Sequence, residues 1–125
     1  MNVQISFPTD YWLYCVTSSI ESRLFIDFNA DACVIIRDRT AFAQMLREAT
    51  EKALPSCVMQ NGPATYVDPL LPQFARIFVP MVKHFGYSYQ EEHRFCWLPR
   101  VTSPKLSHLD IEIGSLAHIA EMIAL

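Results

Sequence analysis

Tyr87-Ser88-Tyr89-Gln90-Glu91-Glu92-His93-Arg94-Phe95-Cys96-Trp97 is the stretch where aromatic and charged residues interleave most densely. Read as one extended strand, it sends Tyr87, Tyr89, Glu91, His93, Phe95 and Trp97 to one side. Ser88, Gln90, Glu92, Arg94 and Cys96 then share the other side, with same-face neighbours ~6.6 Å apart. A strand that is aromatic on one face and polar on the other needs a sheet around it and a core beneath it. That requirement sets the reading of everything else in the chain.

Upstream, Gly86 releases the chain into this strand. Before it, Phe74, Ile77, Phe78, Met81, Val82 and Phe85 follow helical spacing from Pro72, with Pro80 kinking or interrupting the helix. Cys57-Val58-Met59 and Ala64-Thr65-Tyr66-Val67 read as two short strands joined through an Asn61-Gly62-Pro63 turn, and Asp68-Pro69 closes that unit. Between Thr40 and Pro55 lies the clearest helix. Thr40 caps it, Phe42, Met45, Leu46 and Ala49 share one face, and Pro55 ends it.

Towards the N-terminus, Val3, Ile5 and Phe7 alternate as a short edge strand that Pro8-Thr9-Asp10 breaks. Tyr11 to Val16 is continuously apolar, as a buried strand is. Ser18-Ser19-Ile20-Glu21 fits a capping box for a helix from about Ser19 to Phe28, stopped by Asn29. Ala32 to Ile36 is a further strand, and Arg37-Asp38-Arg39 turns out to solvent. Downstream, Pro99 to Pro104 is a loop, and Leu109, Ile111 and Ile113 alternate with Asp110 and Glu112 as a last strand. Gly114-Ser115 then turns into a short helix bearing Leu116, Ile119 and Ile123. The sum is one α+β domain over residues 1–125, with a mixed, mainly antiparallel sheet and three to four helices.

Composition narrows the function. The 125 residues are 51% apolar and 18% charged, which fits a folded domain with a real core and not a disordered chain. Three glycines and the absence of G-x-G-x-x-G or G-x-x-x-x-G-K-[ST] argue against a glycine-rich phosphate loop. A net charge of −3 with scattered basic residues gives no support for a nucleic-acid partner. No apolar run reaches spanning length and no leader pattern opens the chain, so neither a membrane nor an export route is expected. Cys15, Cys33, Cys57 and Cys96 are widely spaced without a C-x-x-C pair, consistent with reduced thiols in the cytosol. No metal is expected, because C-x-x-C, H-E-x-x-H and H-x-H groupings are all missing. Trp12, Trp97 and the Phe74, Phe78, Phe85 stripe read as core, and His108 and His118 as side chains with no partner evident.

The polar row Gln90-x-Glu92-x-Arg94 is where chemistry would sit. Glu92 and Arg94 as same-face neighbours suit an ordinary ion pair. The same row also suits a catalytic carboxylate, Glu92, beside an amide, Gln90, able to hydrogen-bond a ribose hydroxyl. A carboxylate next to a developing oxocarbenium ion stabilises it, and can orient or deprotonate the attacking nucleophile. Lys83 would take a phosphate if it lies beside Arg94.

Three segments carry a family resemblance: the Trp12–Ser19 strand, the Asp31-Ala-Cys-Val-Ile-Ile-Arg-Asp38 strand, and Phe78 through Phe95. Together they resemble uncharacterised bacterial proteins of the DUF2971 family, which carry a C-F-S-like strand end, a G-x-C-I-x-F-D-like strand, a lysine, and a Y-E-x-E-x-R strand. Cys15 to Ser18, Cys33 to Asp38, Lys83, and Tyr89 to Arg94 match them in turn. The family's first strand and its N-D-P-like segment have no counterpart, so the chain resembles a shortened or C-terminal version. Its E-x-E is Gln90-x-Glu92 here, which is similar to the [QE]-x-E strand of ADP-ribosyltransferases, as Thr17-Ser18-Ser19 is to their S-T-S-like strand end. The arginine or histidine that holds NAD in those enzymes is not identifiable.

The resemblance implies NAD as ligand, Glu92 as the catalytic carboxylate and Gln90 as the ribose contact. Thr17 and Ser18 would line the cleft, with Lys83 and Arg94 on phosphates. The competing expectation is a non-catalytic protein-interaction or oligomerisation module of a bacterial or phage defence or toxin system, as the high apolar content suits a protein or homo-oligomer partner.

Overall fold

The computed structural model describes residues 11–68, 70, 79–100 and 109–124. The expected strand through Val3 and Phe7, the helical stretch over 72–78 and the 101–104 part of the loop lie outside them, as do Phe74, Phe78 and His108. The protein is α+β, with mainly antiparallel strand pairing. Contacts divide it into two units: one combines residues 1–20 with 56–105, the other 21–55 with 106–125.

In the first unit, β1 (Trp12–Thr17) and β3 (Cys57–Pro63) flank β6 (Glu92–Pro99) in an antiparallel sheet of order β1-β6-β3. Thr17 faces Glu92, Cys15 faces Arg94, and Trp12 faces Trp97. From the other side Gly62 faces Arg94 and Asn61 faces Phe95. Arg94, Phe95, Cys96 and Trp97 are all buried in succession, which requires cover on both faces of the central strand. Burying a side chain the size of Phe95 contributes about 1.5–3 kcal/mol. Among the described residues this unit also holds a parallel pair, β4 (Thr65–Val67) with β5 (Val82–His84).

Several expected boundaries move. The 87–97 stretch is not one strand: Phe85–Gln90 is a 3-10 segment, and β6 begins only at Glu92. His84 Nδ1 accepts the Gly86 N–H at 3.0 Å and caps that segment, while Glu91 ends it with a left-handed φ of 42°. The 61–63 stretch is not a turn but the end of β3, because its ladder with β6 runs on to the Pro63–His93 pair. Over 79–84 the expected helix is cut to a 3-10 turn at Val79–Met81, since Pro80 lacks the N–H an α-helix interior needs, and β5 takes up the backbone that follows. Phe85 is exposed and stacked on His84 at 4.6 Å, so it is not core.

In the second unit, α1 (Ser22–Asp27) and α2 (Arg39–Ala53) accompany an antiparallel pair of β2 (Ala32–Ile36) and β7 (Ala120–Ala124). Leu24, Phe42, Leu46, Thr50 and Ile119 are buried among its described residues. The Ser18 capping box does not form: α1 starts after Glu21, which makes no side-chain cap. Asn29, with φ of 49°, does stop the chain beyond it. Asp38 rather than Thr40 caps α2, its Oδ1 accepting the Ala41 N–H at 3.0 Å. The expected final helix is instead a turn at 117–119 leading into β7, because β2 offers residues 120–124 a full antiparallel ladder. Residues 109–113 form no strand among the described residues.

Candidate functional site

The site belongs to the first unit and is built on the start of β6. Glu92 projects from that strand together with Arg94, two residues on, as strand alternation dictates. Lys83 reaches them from β5, and Gln90 from the 3-10 segment. The Lys83 Nζ donates to Glu92 Oε1 at 2.6 Å and to Gln90 Oε1 at 2.5 Å. Arg94 Nε donates to Glu92 Oε2 at 2.8 Å. Each carboxylate oxygen of Glu92 thus faces its own cation.

The network is mostly withdrawn from water. The side chains of Glu92 and Arg94 are 11% and 10% exposed, whereas that of Lys83 is 23% exposed. Arg94 also donates through Nη1 to the carbonyls of Pro80 at 3.1 Å and Val82 at 3.2 Å, tying β6 to the segment around β5. The Lys83 ammonium lies 4.8 Å from the centre of the Tyr87 ring, a cation–π distance. The Tyr66 hydroxyl accepts the Glu92 backbone N–H at 2.8 Å, and Gln90 Nε2 lies 3.4 Å from the Tyr89 hydroxyl.

These charges set the protonation state. Burial, the largest single influence, pushes the Glu92 carboxyl up, but the hydrogen bonds and charges of Lys83 and Arg94 together outweigh it and hold the group below its ordinary value. Across the ladder, desolvation first and then the Glu92 charge push the Cys15 thiol up. Both influences disfavour the thiolate, which is the nucleophilic form of the side chain.

The residues singled out in sequence meet here, with distinct roles. Gln90, Glu92, Lys83 and Arg94 form one hydrogen-bonded cluster. The Thr17 hydroxyl donates to the Gln90 carbonyl, and so ties β1 to the backbone beneath the cluster. Ser18 contributes its backbone N–H to the Glu91 carbonyl at 2.9 Å. The expectation that Gln90 shares a strand face with Glu92 is corrected: it comes from the 3-10 segment, and the left-handed Glu91 returns it to the same side. Tyr66, Tyr87, Tyr89 and Cys15 were not anticipated in the site. Cys15 was legible in principle, since pairing Thr17 with Glu92 places it opposite Arg94.

Among the described residues no group of three His, Cys, Asp or Glu side chains could hold a metal ion. The four cysteines are free thiols. No helix among the described residues is long and apolar enough to cross a membrane. Comparison with known protein families, curated proteins and solved structures finds no match to this chain.

Proposed function

We propose that the first unit binds a nucleotide, with NAD as the ligand and ADP-ribosyltransferase-like chemistry at Glu92, in a cytosolic protein of the DUF2971 type. The observation carrying this reading is the convergence of Lys83 and Arg94 on the Glu92 carboxylate, with Gln90 held to the same ammonium of Lys83. Two cations against one carboxylate leave a net positive charge at the cluster. That surplus suits a diphosphate, and Lys83, the more exposed cation, is the group to take it. The Tyr87 ring beside it offers a face on which a base could stack.

A phosphate competing for Lys83 would draw the ammonium off both Glu92 Oε1 and Gln90 Oε1 in one movement. Arg94, committed to Pro80 and Val82, would stay on Oε2 and keep the carboxylate in place. The released Oε1 is then free to stabilise an oxocarbenium ion or to take a proton from an acceptor, and the Gln90 amide is free to accept from a ribose hydroxyl. Lys83 is thus both the phosphate ligand and the latch on the carboxylate.

Titration calorimetry with NAD tests this. Saturable heat from the native protein, lost in Lys83→Ala and kept in Glu92→Gln, supports the reading. A folded protein that gives no heat at millimolar NAD overturns it.

The second reading is a non-catalytic interaction module. It is favoured by β2 and β7, where Val34 faces Met122 and the two are 59% and 74% exposed. Sedimentation of the native protein against Val34→Lys/Met122→Lys checks it: self-association that the double variant abolishes supports the module, and a monomer at all concentrations opposes self-association.

A further inference from the structure

Residues 109–113, Leu-Asp-Ile-Glu-Ile, have the alternation of a half-buried strand, and the structure keeps the pattern over 110–113: Ile111 and Ile113 are half-buried while Asp110 and Glu112 are exposed, as is Leu109. Yet among the described residues none of their backbone groups pairs with another backbone group. A strand-patterned segment with unpaired N–H and C=O groups is a template for a further strand. It also borders an open groove of about 570 Å³ in the second unit, lined by α2 and by residues 110–113. That volume lies within the ~300–1,000 Å³ usual for ligand sites.

The helix side of the groove explains its shape. Met45, Ala49 and Ala53 recur every fourth residue and form one row along α2. Alanine at two of the three positions leaves the space open. The rim carries Glu48, Asp110 and Glu112 against Lys52, an acidic excess.

We propose that this groove binds an extended peptide segment whose residues alternate between basic and apolar, added as a strand along 109–113. Its backbone would satisfy the unpaired groups of 110–113. Its apolar side chains would lie on the Met45–Ala49–Ala53 row, and its basic side chains would meet Asp110, Glu112 and Glu48. This is β-strand addition, in which main-chain hydrogen bonds supply affinity and alternate side chains supply specificity. The occupant is a basic peptide on grounds of charge: a second copy of this chain, at net −3, would bring further negative charge to an acidic rim.

The test uses the full chain and a fluorescein-labelled Lys-Val-Lys-Val-Lys-Val peptide, read by polarisation, with Glu-Val-Glu-Val-Glu-Val as control. The lysine peptide is expected to bind saturably and the glutamate peptide not at all. Asp110→Lys/Glu112→Lys should weaken binding about tenfold, since it reverses two of the three acidic charges on the rim. Ala49→Leu, which fills the groove without disturbing helix propensity, should weaken it as well. Amide hydrogen exchange of residues 110–113 should slow when the lysine peptide is added. Equal binding of both peptides, indifference to the charge reversal, or unchanged exchange at 110–113 would each overturn the proposal. So would a dimer in which those amides are already protected, since the occupant would then be a second copy.

Discussion

Replacing Glu92 by glutamine keeps its shape and removes its charge, and the structure sets what that should cost. Lys83 at 2.6 Å and Arg94 at 2.8 Å both lose their counter-charge. An exposed pair would contribute at most ~1 kcal/mol, and removing one partner of a fully buried pair costs ~3–5 kcal/mol. Arg94 is 10% exposed and pinned by Pro80 and Val82, so its charge stays in place uncompensated. Lys83 is 23% exposed and can turn towards water, which discounts its share. The expected loss for Glu92→Gln is therefore about 2–3 kcal/mol at neutral pH. With a urea slope of ~2 kcal/mol/M, the midpoint falls by ~1–1.5 M at unchanged slope.

The pH dependence of the same variant supplies a second, independent readout. The folded Glu92 carboxyl titrates below its ordinary value, so its ion pairs stabilise the protein above the unfolded pKa of ~4.3. That contribution fades as the pH falls through the depressed folded value. The stability gap between native protein and Glu92→Gln is thus widest at neutral pH and closes on acidification. A gap under ~0.5 kcal/mol at pH 7, or one independent of pH, would refute the view that the two cations hold this carboxylate ionised.

Three further outcomes follow from particular contacts. Asp38→Ala removes the side-chain acceptor at the start of α2 and should cost about 1 kcal/mol in urea unfolding, whereas Thr40→Ala, which removes no cap, should cost less. Alkylation of Cys15 by iodoacetamide at pH 7 should be slow in the native protein and faster in Glu92→Gln, since that variant removes one of the influences raising the thiol; mass spectrometry of the Cys15 peptide reads both rates. Leu46→Ala empties a buried position on α2 and should lower stability by ~2–5 kcal/mol, while Arg47→Ala on the exposed side should change it by less than ~0.5 kcal/mol in the same assay.

The sequence by itself determined the α+β class, the positions of β1, β2 and α2, and the residue types that meet at Glu92. These rest on local signals: apolar runs for the strands, helical spacing of Phe42, Leu46 and Ala49 for α2, and an amide, a carboxylate and a guanidinium two residues apart. Tertiary structure decided the rest. Residues 120–124 have helical spacing upstream and a strand in the fold, because β2 supplies an antiparallel ladder for the backbone groups on their inner edge. Asn61-Gly62-Pro63 has turn chemistry but continues a strand, because β6 supplies partners as far as His93. Gln90 reaches Lys83 from a 3-10 segment, which only the left-handed backbone at Glu91 makes geometrically equivalent to a strand position. Local pattern fixes what a segment can do alone. Which backbone pairs with which, and so which charges meet, depends on partners distant in sequence: Lys83 finds Glu92 because β5 and β6 come together around the Arg94 guanidinium.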